Sequence, residues 1–310
     1  MNYRIGAVLL ISGIIIAMLM GSLNSGNTSD INCEDWTVSD EGILSYSFSM
    51  PQYNLSEPRS DGNTTLSTVQ FQSRVMQMAG LLRVPMPAMP GQNSDNKASS
   101  IPGIVLLPGA TVTKEREQGL AKRLADLGYA TLTLDQRNLG VINADSDLQL
   151  FMGGSEPTEH KMVYDAIAAA GILRLQPGID PDGIIYAGES NGGRFAIIAS
   201  ALDAKARGVL AISTSGYGTD AAIASAGMID KDIIRFYRSI DPETYLFKIP
   251  PRPLAMIHSS NDTVIPRQLA EQTYAMASRP KSFDTVGCTK HGYCTEMDAY
   301  IEKRLLSMVS

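Results

Sequence analysis

The stretch "YAGESNGGRFA", Tyr186 to Ala196, sets a serine between two glycines. Glycine is used where the backbone needs a positive φ or where another atom must come close, so Gly188 and Gly192 around Ser190 predict a sharp turn rather than a soft loop. The preceding "DGIIYAG" reads as a short buried strand, and "GGRFAIIASALDAKA" after it has helical spacing and good helix formers. A serine on a tight strand-to-helix turn is lifted clear of its neighbours, which is how a nucleophile is presented. A bare G-x-S-x-G also arises by chance as a turn with no chemistry, so the reading depends on partners elsewhere in the chain.

Those partners would have to lie in an open sheet. "IPGIVLLPG", "ATLTLDQRNLG", "GIIYAG", "GVLAIS" and "RPLAMIHSS" are apolar runs joined by helical segments such as "EREQGLAKRLADLGY" and "TEHKMVYDAIAAAGILRLQ". Strands apolar along their whole length and separated by helices imply a mostly parallel sheet covered on both faces, an α/β fold. Ahead of them, "GILSYSFSM" and "TLSTVQFQSRVMQMAGLLRVP" alternate in the manner of antiparallel strands that begin the sheet, and "MPAMPGQNSDNKASS" is a Pro/Gly/Ser/Asn loop. A helical insertion, Thr219 to Phe247, is long enough to form a small cap.

In such a sheet, functional groups sit on loops beyond the carboxyl ends of the strands. "NDTVIP" puts Asp262 on one such loop, and "GCTKHGYC" puts His291 on the next. With three histidines in the chain, His160, His258 and His291, the list of bases for a serine is short.

The ordered set "GIVLLPGA", "LADLGYATLTLDQRNLG", "YAGESNGG", "PPRPLAMIHSSNDTVIP" and "KHG" resembles the α/β-hydrolase superfamily, in its dienelactone-hydrolase-like and prolyl-oligopeptidase-like branch. The resemblance runs from about residue 40 to the C-terminus. It implies Ser190 as nucleophile, His291 as general base and then acid, and Asp262 holding the imidazole in its working tautomer. It also implies an oxyanion hole from the backbone N–H groups of Asn191 and Ala110. Relatives usually carry histidine where Pro108 stands, which makes Asn191 the firmer donor. In relatives the counterpart of His258 does no chemistry, and that of Asp135 is structural. His160 reads as a surface or capping residue. Glu189, beside the nucleophile, has two readings: it tunes substrate charge or it packs against the turn.

The implied activity is cleavage of a carboxylic ester of small to medium acyl size through an acyl-enzyme, with no metal or organic cofactor. Two alternatives stand beside it: a peptidase or amidase of the same fold, which usually carries a large N-terminal propeller that this chain has no room for, and an inactive hydrolase-like binding protein. Tyr217, Tyr237 and Tyr245 are open to pocket or core. The formal net charge of −6, with no basic stripe, argues against a nucleic-acid partner.

The first 23 residues stand apart. Arg4 is followed by no charge until Asp30, and Ile5 to Leu23 would span about 28 Å as a helix, close to a bilayer core. Its length, the absence of an A-x-A site after Met20 and the flanking charges favour an uncleaved signal-anchor over a cleaved signal peptide, with the body outside the cytoplasm. Residues 24–40 read as a polar tether and 41–310 as the catalytic domain. Asn27, Asn54 and Asn63 begin N-x-[ST] sequons, consistent with export, and each taken singly is accounted for by the abundance of Asn, Ser and Thr in loops. An exported chain meets oxidising conditions, so Cys288 and Cys294 are a candidate disulfide around His291. The rival pairings are a bridge to Cys33, or Cys288, His291 and Cys294 as metal ligands.

Overall fold

The apolar runs become the centre of one twisted sheet. In the computed structural model, which describes residues 36–86 and 100–309, ten strands form this sheet among the described residues. Its parallel part runs β8 (Ala130–Leu134), β7 (Ile101–Leu107), β9 (Ile179–Glu189), β10 (Gly208–Ile212), β11 (Leu254–Ser259) and β12 (Lys281–Val286). Beyond β8 lies an antiparallel wing. β6 (Met76–Pro85) pairs with β8 and with β5 (Thr64–Ser73), and β5 carries the short β3 (Tyr53–Leu55) and β4 (Arg59–Asp61).

Residue alternation along the parallel strands explains the two covering layers. Val105, Leu107, Tyr186, Val209, Ala211 and Met256 point to one face, where they pack against α3 (Thr158–Arg174) and α4 (Asn191–Leu202). Ile104, Leu106, Ile185, Ala187, Leu210 and Ile257 point to the other, against α1 (Gln118–Asp126) and α7 (Asp298–Val309). Because each strand is buried on both sides, polar alternation is lost and the sequence reads as continuous apolar runs. Alanines at 166, 168, 169, 170, 196 and 199 let α3 and α4 lie close to the sheet and to each other.

The helical insertion forms as α5 (Thr219–Ala226), α6 (Lys231–Ile240) and a 3-10 turn, Pro242–Lys248. It has a partner that sequence reading did not single out, α2 (Ala144–Met152), and the two share a satellite core of Leu148, Phe236, Tyr237 and Ile240.

The boundary of the polar tether is corrected. Trp36–Val38 is a strand, β1, paired with β2 (Leu44–Tyr46) in a separate two-stranded ribbon, so "GILSYSFSM" does not begin the main sheet. The reason is local. Trp36 packs its ring against Phe151 and His160, Arg235 donates to the carbonyls of Val38 and Ser39, and the Tyr245 hydroxyl accepts the Leu44 N–H at 3.1 Å. The ribbon thus clasps the insertion. The 1–23 segment, the sequon at Asn27, Cys33 and most of the 86–100 loop lie outside the described residues. Among the described residues no helix is long and apolar enough to cross a membrane.

Tyr245 is fully buried, and its hydroxyl also donates to Ser239 O at 2.7 Å. Tyr245→Phe leaves a buried N–H and a buried carbonyl without partners. It should cost about 1–3 kcal/mol, a fall of several degrees in Tm, with faster proteolysis between residues 36 and 46. A thermal melt and limited proteolysis check this; an unchanged melt would mean that the clasp contributes no stability.

Candidate active site

Ser190 stands between β9 and α4 with φ 52° and ψ −119°. Such a conformation costs a non-glycine residue about 1–3 kcal/mol and persists only where the surroundings impose it. They do so here. The Ser190 N–H is held by Ile212 O at 2.9 Å, and its carbonyl accepts from the Thr214 hydroxyl at 2.7 Å. The flanking glycines serve close approach rather than positive φ. A Cβ on Gly188 would lie 2.4 Å from the Gly192 carbonyl, and one on Gly192 would lie 2.1 Å from Leu107 O. The turn is pressed against the end of β7, and the strain falls on the serine.

The Gly109–Ala110 loop follows β7 directly. Gly109 abuts Ser190 so closely that a Cβ on the glycine would lie 3.5 Å from the serine Cβ. The loop is braced from β8: Gln136 donates to Pro108 O, Thr111 donates to Leu139 O at 2.7 Å, and Asn191 donates through Nδ2 to Gly140 O at 3.0 Å. Asn138 and Leu139 take φ of 48° and 50° to turn this brace. Among the described residues, no protein acceptor engages the N–H of Ala110 or of Asn191. Asn191 opens α4, where the first N–H groups have no intrahelical partner and the helix dipole favours negative charge.

Asp262 lies on the loop after β11 and is almost fully buried. Its Oδ1 accepts the N–H groups of Val264 at 2.8 Å and Ile265 at 2.9 Å, which leaves Oδ2 for His291 Nδ1 at 2.8 Å. A proton on Nδ1 donated to the carboxylate leaves Nε2 as the free acceptor, the arrangement of a general base. His258 is buried 3.6 Å from the same oxygen, but its Nε2 donates to Ile265 O at 2.8 Å, and burial holds it below the usual imidazole range. It closes the Asp262 turn as a neutral ring.

The His291 loop is fastened at several points. Cys288 and Cys294 are joined by a disulfide, so neither sulfur serves as a thiolate metal ligand. Ser259 donates to Cys288 O, and Ser213 donates to Gly292 O at 3.3 Å. Tyr293 N–H donates to Glu189 Oε2 at 3.1 Å, and Gly292, at φ 85°, leaves the space that this carboxylate fills. The loop that bears His291 therefore touches the residue before Ser190.

Other candidates settle into structural positions. Asp135 accepts the Lys114 N–H at 2.9 Å and pairs with its ammonium. His160 is not a surface residue: it is buried against Trp36, its Nε2 donates to Ser239 Oγ at 2.7 Å, and burial depresses its pKa to about 3. The run of polar residues around it concealed this. Tyr245 is core, whereas the hydroxyls of Tyr217 and Tyr237 are buried without a hydrogen-bond partner among the described residues. Sequence reading missed Glu117, which meets Glu189 from the start of α1; within "KEREQ" it looks like any solvated charge.

Comparison with known proteins bears on this arrangement. The family model described as acetyl xylan esterase matches residues 150–248, which include the Ser190 turn. An uncharacterized protein of Escherichia coli K12, YfhR, is 30% identical over 130 residues, 40% of this chain and 44% of that protein. The chain thus aligns with less than half the length of the curated relatives it matches. Acetyl xylan esterase 1 from Thermoanaerobacterium sp. JW/SL YS485 superposes with a TM-score of 0.61 at 14% identity, covering 84% of this chain and 89% of its own. The acetyl xylan esterase of Paenibacillus sp. R4 gives 0.64 at 17% identity over 83% and 88%, and a glucuronoyl esterase from Solibacter usitatus gives 0.63 at 13% over 89% and 90%. At these identities the structural likeness establishes the fold.

The pressed turn makes a direct prediction. Gly192→Ala forces a Cβ into the Leu107 carbonyl, a backbone atom that cannot swing aside, and should destabilise the protein by about 2–4 kcal/mol or prevent folding. A melting curve within about one degree of the parent would contradict this packing.

Proposed function

We infer that this chain, an α/β-hydrolase by fold, is a serine hydrolase that cleaves carboxylic esters through an acyl-enzyme. The observation that carries this reading is the strained Ser190 turn, with the Asp262–His291 pair on the loops after β11 and β12 at one edge of the sheet and Gly292 seated against Glu189. Ser190 Oγ attacks the ester carbonyl as His291 Nε2 takes its proton. The imidazolium formed is stabilised by Asp262 and returns the proton to the departing alcohol. Water then repeats the sequence on the acyl-enzyme. The N–H groups of Asn191 and Ala110, unengaged and flanking Ser190, are the donors for the oxyanion, and each is worth about 2.7–4 kcal/mol to the transition state.

The match to the acetyl xylan esterase family model over the Ser190 region supports a short acyl group, and acetyl esters are the first substrates to test. The same reading takes the reaction outside the cytoplasm, supported by the Cys288–Cys294 bridge, since such bridges persist in oxidising compartments. The N-terminal apolar run would hold it at a membrane.

Ser190→Ala should lower kcat/KM for p-nitrophenyl acetate by about 10⁴-fold or more and abolish labelling by a fluorophosphonate, with an unchanged circular dichroism spectrum. Retained turnover in the folded variant would remove the reading. A second expectation concerns the bridge, whose loop closure is worth roughly 2 kcal/mol in the chain-entropy model. Reduction should lower kcat before it unfolds the protein, because the first segment released is the one bearing His291. Equal kcat in the oxidised and reduced protein would deny the bridge a part in holding the base.

A further inference from the structure

Glu189 poses a problem that the esterase reading does not solve. It precedes the nucleophile, and a carboxylate there faces a reaction that gathers negative charge on an oxyanion nearby, the wrong sign for transition-state stabilisation. The surroundings show how the problem is met. Glu117 is buried beside Glu189 at the start of α1, and burial together with the Glu189 carboxylate pushes its pKa up to about 9. Burial and the neighbouring carboxylate thus keep Glu117 a neutral acid at neutral pH, with a proton to offer to Glu189. On its other side Glu189 Oε2 accepts the Tyr293 N–H at 3.1 Å, in a space left open by Gly292. The chain Glu117, Glu189, Tyr293 N–H thus ties α1, the serine turn and the His291 loop together at one carboxylate.

We propose that Glu189 is a positioning residue, whose carboxylate, held from behind by Glu117, fixes the His291 loop against the Ser190 turn through the Tyr293 N–H. The proposal rests on the esterase reading for its catalytic consequence, but not for its geometry. Ser190 is pinned by the strand β9 and the Ile212 carbonyl, whereas His291 sits on a loop at the sheet's edge. A misplacement of about 1 Å between reacting groups can cost about 100-fold in rate, so the tie between them is where positioning is decided. The ionisable group that faces Glu189 across this contact is the Tyr293 phenol, which donates to Asp298 at 2.6 Å, and Asp298 in turn pairs with Arg123 at the end of α1 at 2.9 Å. The sign of the pH effect follows. A carboxyl raised in the folded state holds its bond fully at low pH and loses it as pH rises through its folded value. Ionised Glu117 repels Glu189, and the tie loosens above about pH 9.

Two readouts test this on the full chain, one independent of turnover. Glu189→Ala should speed amide exchange at Tyr293 by about tenfold or more and lower kcat for p-nitrophenyl acetate about tenfold with KM within about twofold; Glu189→Gln, which keeps an acceptor oxygen, should recover most of both. Wild-type kcat should fall reversibly above about pH 9, and Glu117→Gln, which keeps a donor that cannot ionise, should carry its own neutral-pH value past that point. Equal Tyr293 protection in Glu189→Ala overturns the tie. Faster exchange with unchanged kcat overturns the positioning role and leaves Glu189 as packing. An alkaline limb absent from the wild type, or identical in Glu117→Gln, overturns the shared proton. If Glu189→Ala does not fold, Glu189→Met, which keeps the bulk and removes the acceptor oxygen, decides the same question by the same two readouts. A wild-type chain that hydrolyses no ester defeats the esterase reading, and the exchange result still stands or falls alone.

Discussion

The crossing of the serine turn over the end of β7 is the constraint from which the site follows. Leu107 O and Pro108 O occupy the space that side chains at Gly192 would need, and the Gly192 backbone fills the space beside Gly188. Backbone so close to backbone leaves no room for relaxation, so the chain can leave β9 and enter α4 only by placing Ser190 at positive φ. The strain is offset by the packing of β9 and α4, whose residues Tyr186, Phe195, Ile197 and Ile198 are buried in the same layer. The same crossing brings the Gly109–Ala110 loop beside the serine, so one contact both lifts the side chain and supplies the flanking N–H groups.

Around that fixed point the remaining groups are held by short polar ties rather than by packing. Asp262 uses one oxygen to close its own turn and the other to orient His291. Gln136, Asn191 and Leu139 join the loops after β7, β8 and β9. On the far side, the insertion is anchored by Asp241, which accepts the N–H groups of Tyr217, Thr219 and Glu243, and by the ribbon of β1 and β2. Most of these ties span elements distant in sequence and near in space.

That distinction explains what could be read from the sequence. The inner parallel strands were legible because burial on both faces leaves an apolar run, and the turns bearing Ser190 and Asp262 were legible because each follows such a run, whereas the role of His291 came from the resemblance carried by "KHG". β12 was not, because an edge strand with five of its six residues only partly buried or exposed, "KSFDTV", carries no continuous apolar signal. The ribbon at Trp36–Val38 was read as tether because three residues are too few to show a period, and its stability comes from Arg235 and Tyr245, which lie 197 and 201 residues from the backbone groups they hold. Glu117 and the buried His160 were hidden for a related reason: composition reports polarity, whereas burial is set by what folds over a residue.

The order of the strands has a consequence for how the molecule fails. β9, which leads to the serine, has parallel neighbours on both sides, while β12, which leads to His291, is the last strand of the sheet among the described residues and pairs there with β11 alone. Local opening draws on the weakest-supported segments first, and backbone at a sheet's rim has fewer hydrogen bonds to break than backbone at its centre. The two halves of the proposed chemistry therefore rest on strands of unequal support, and opening at the rim would release the base while leaving the serine turn in place.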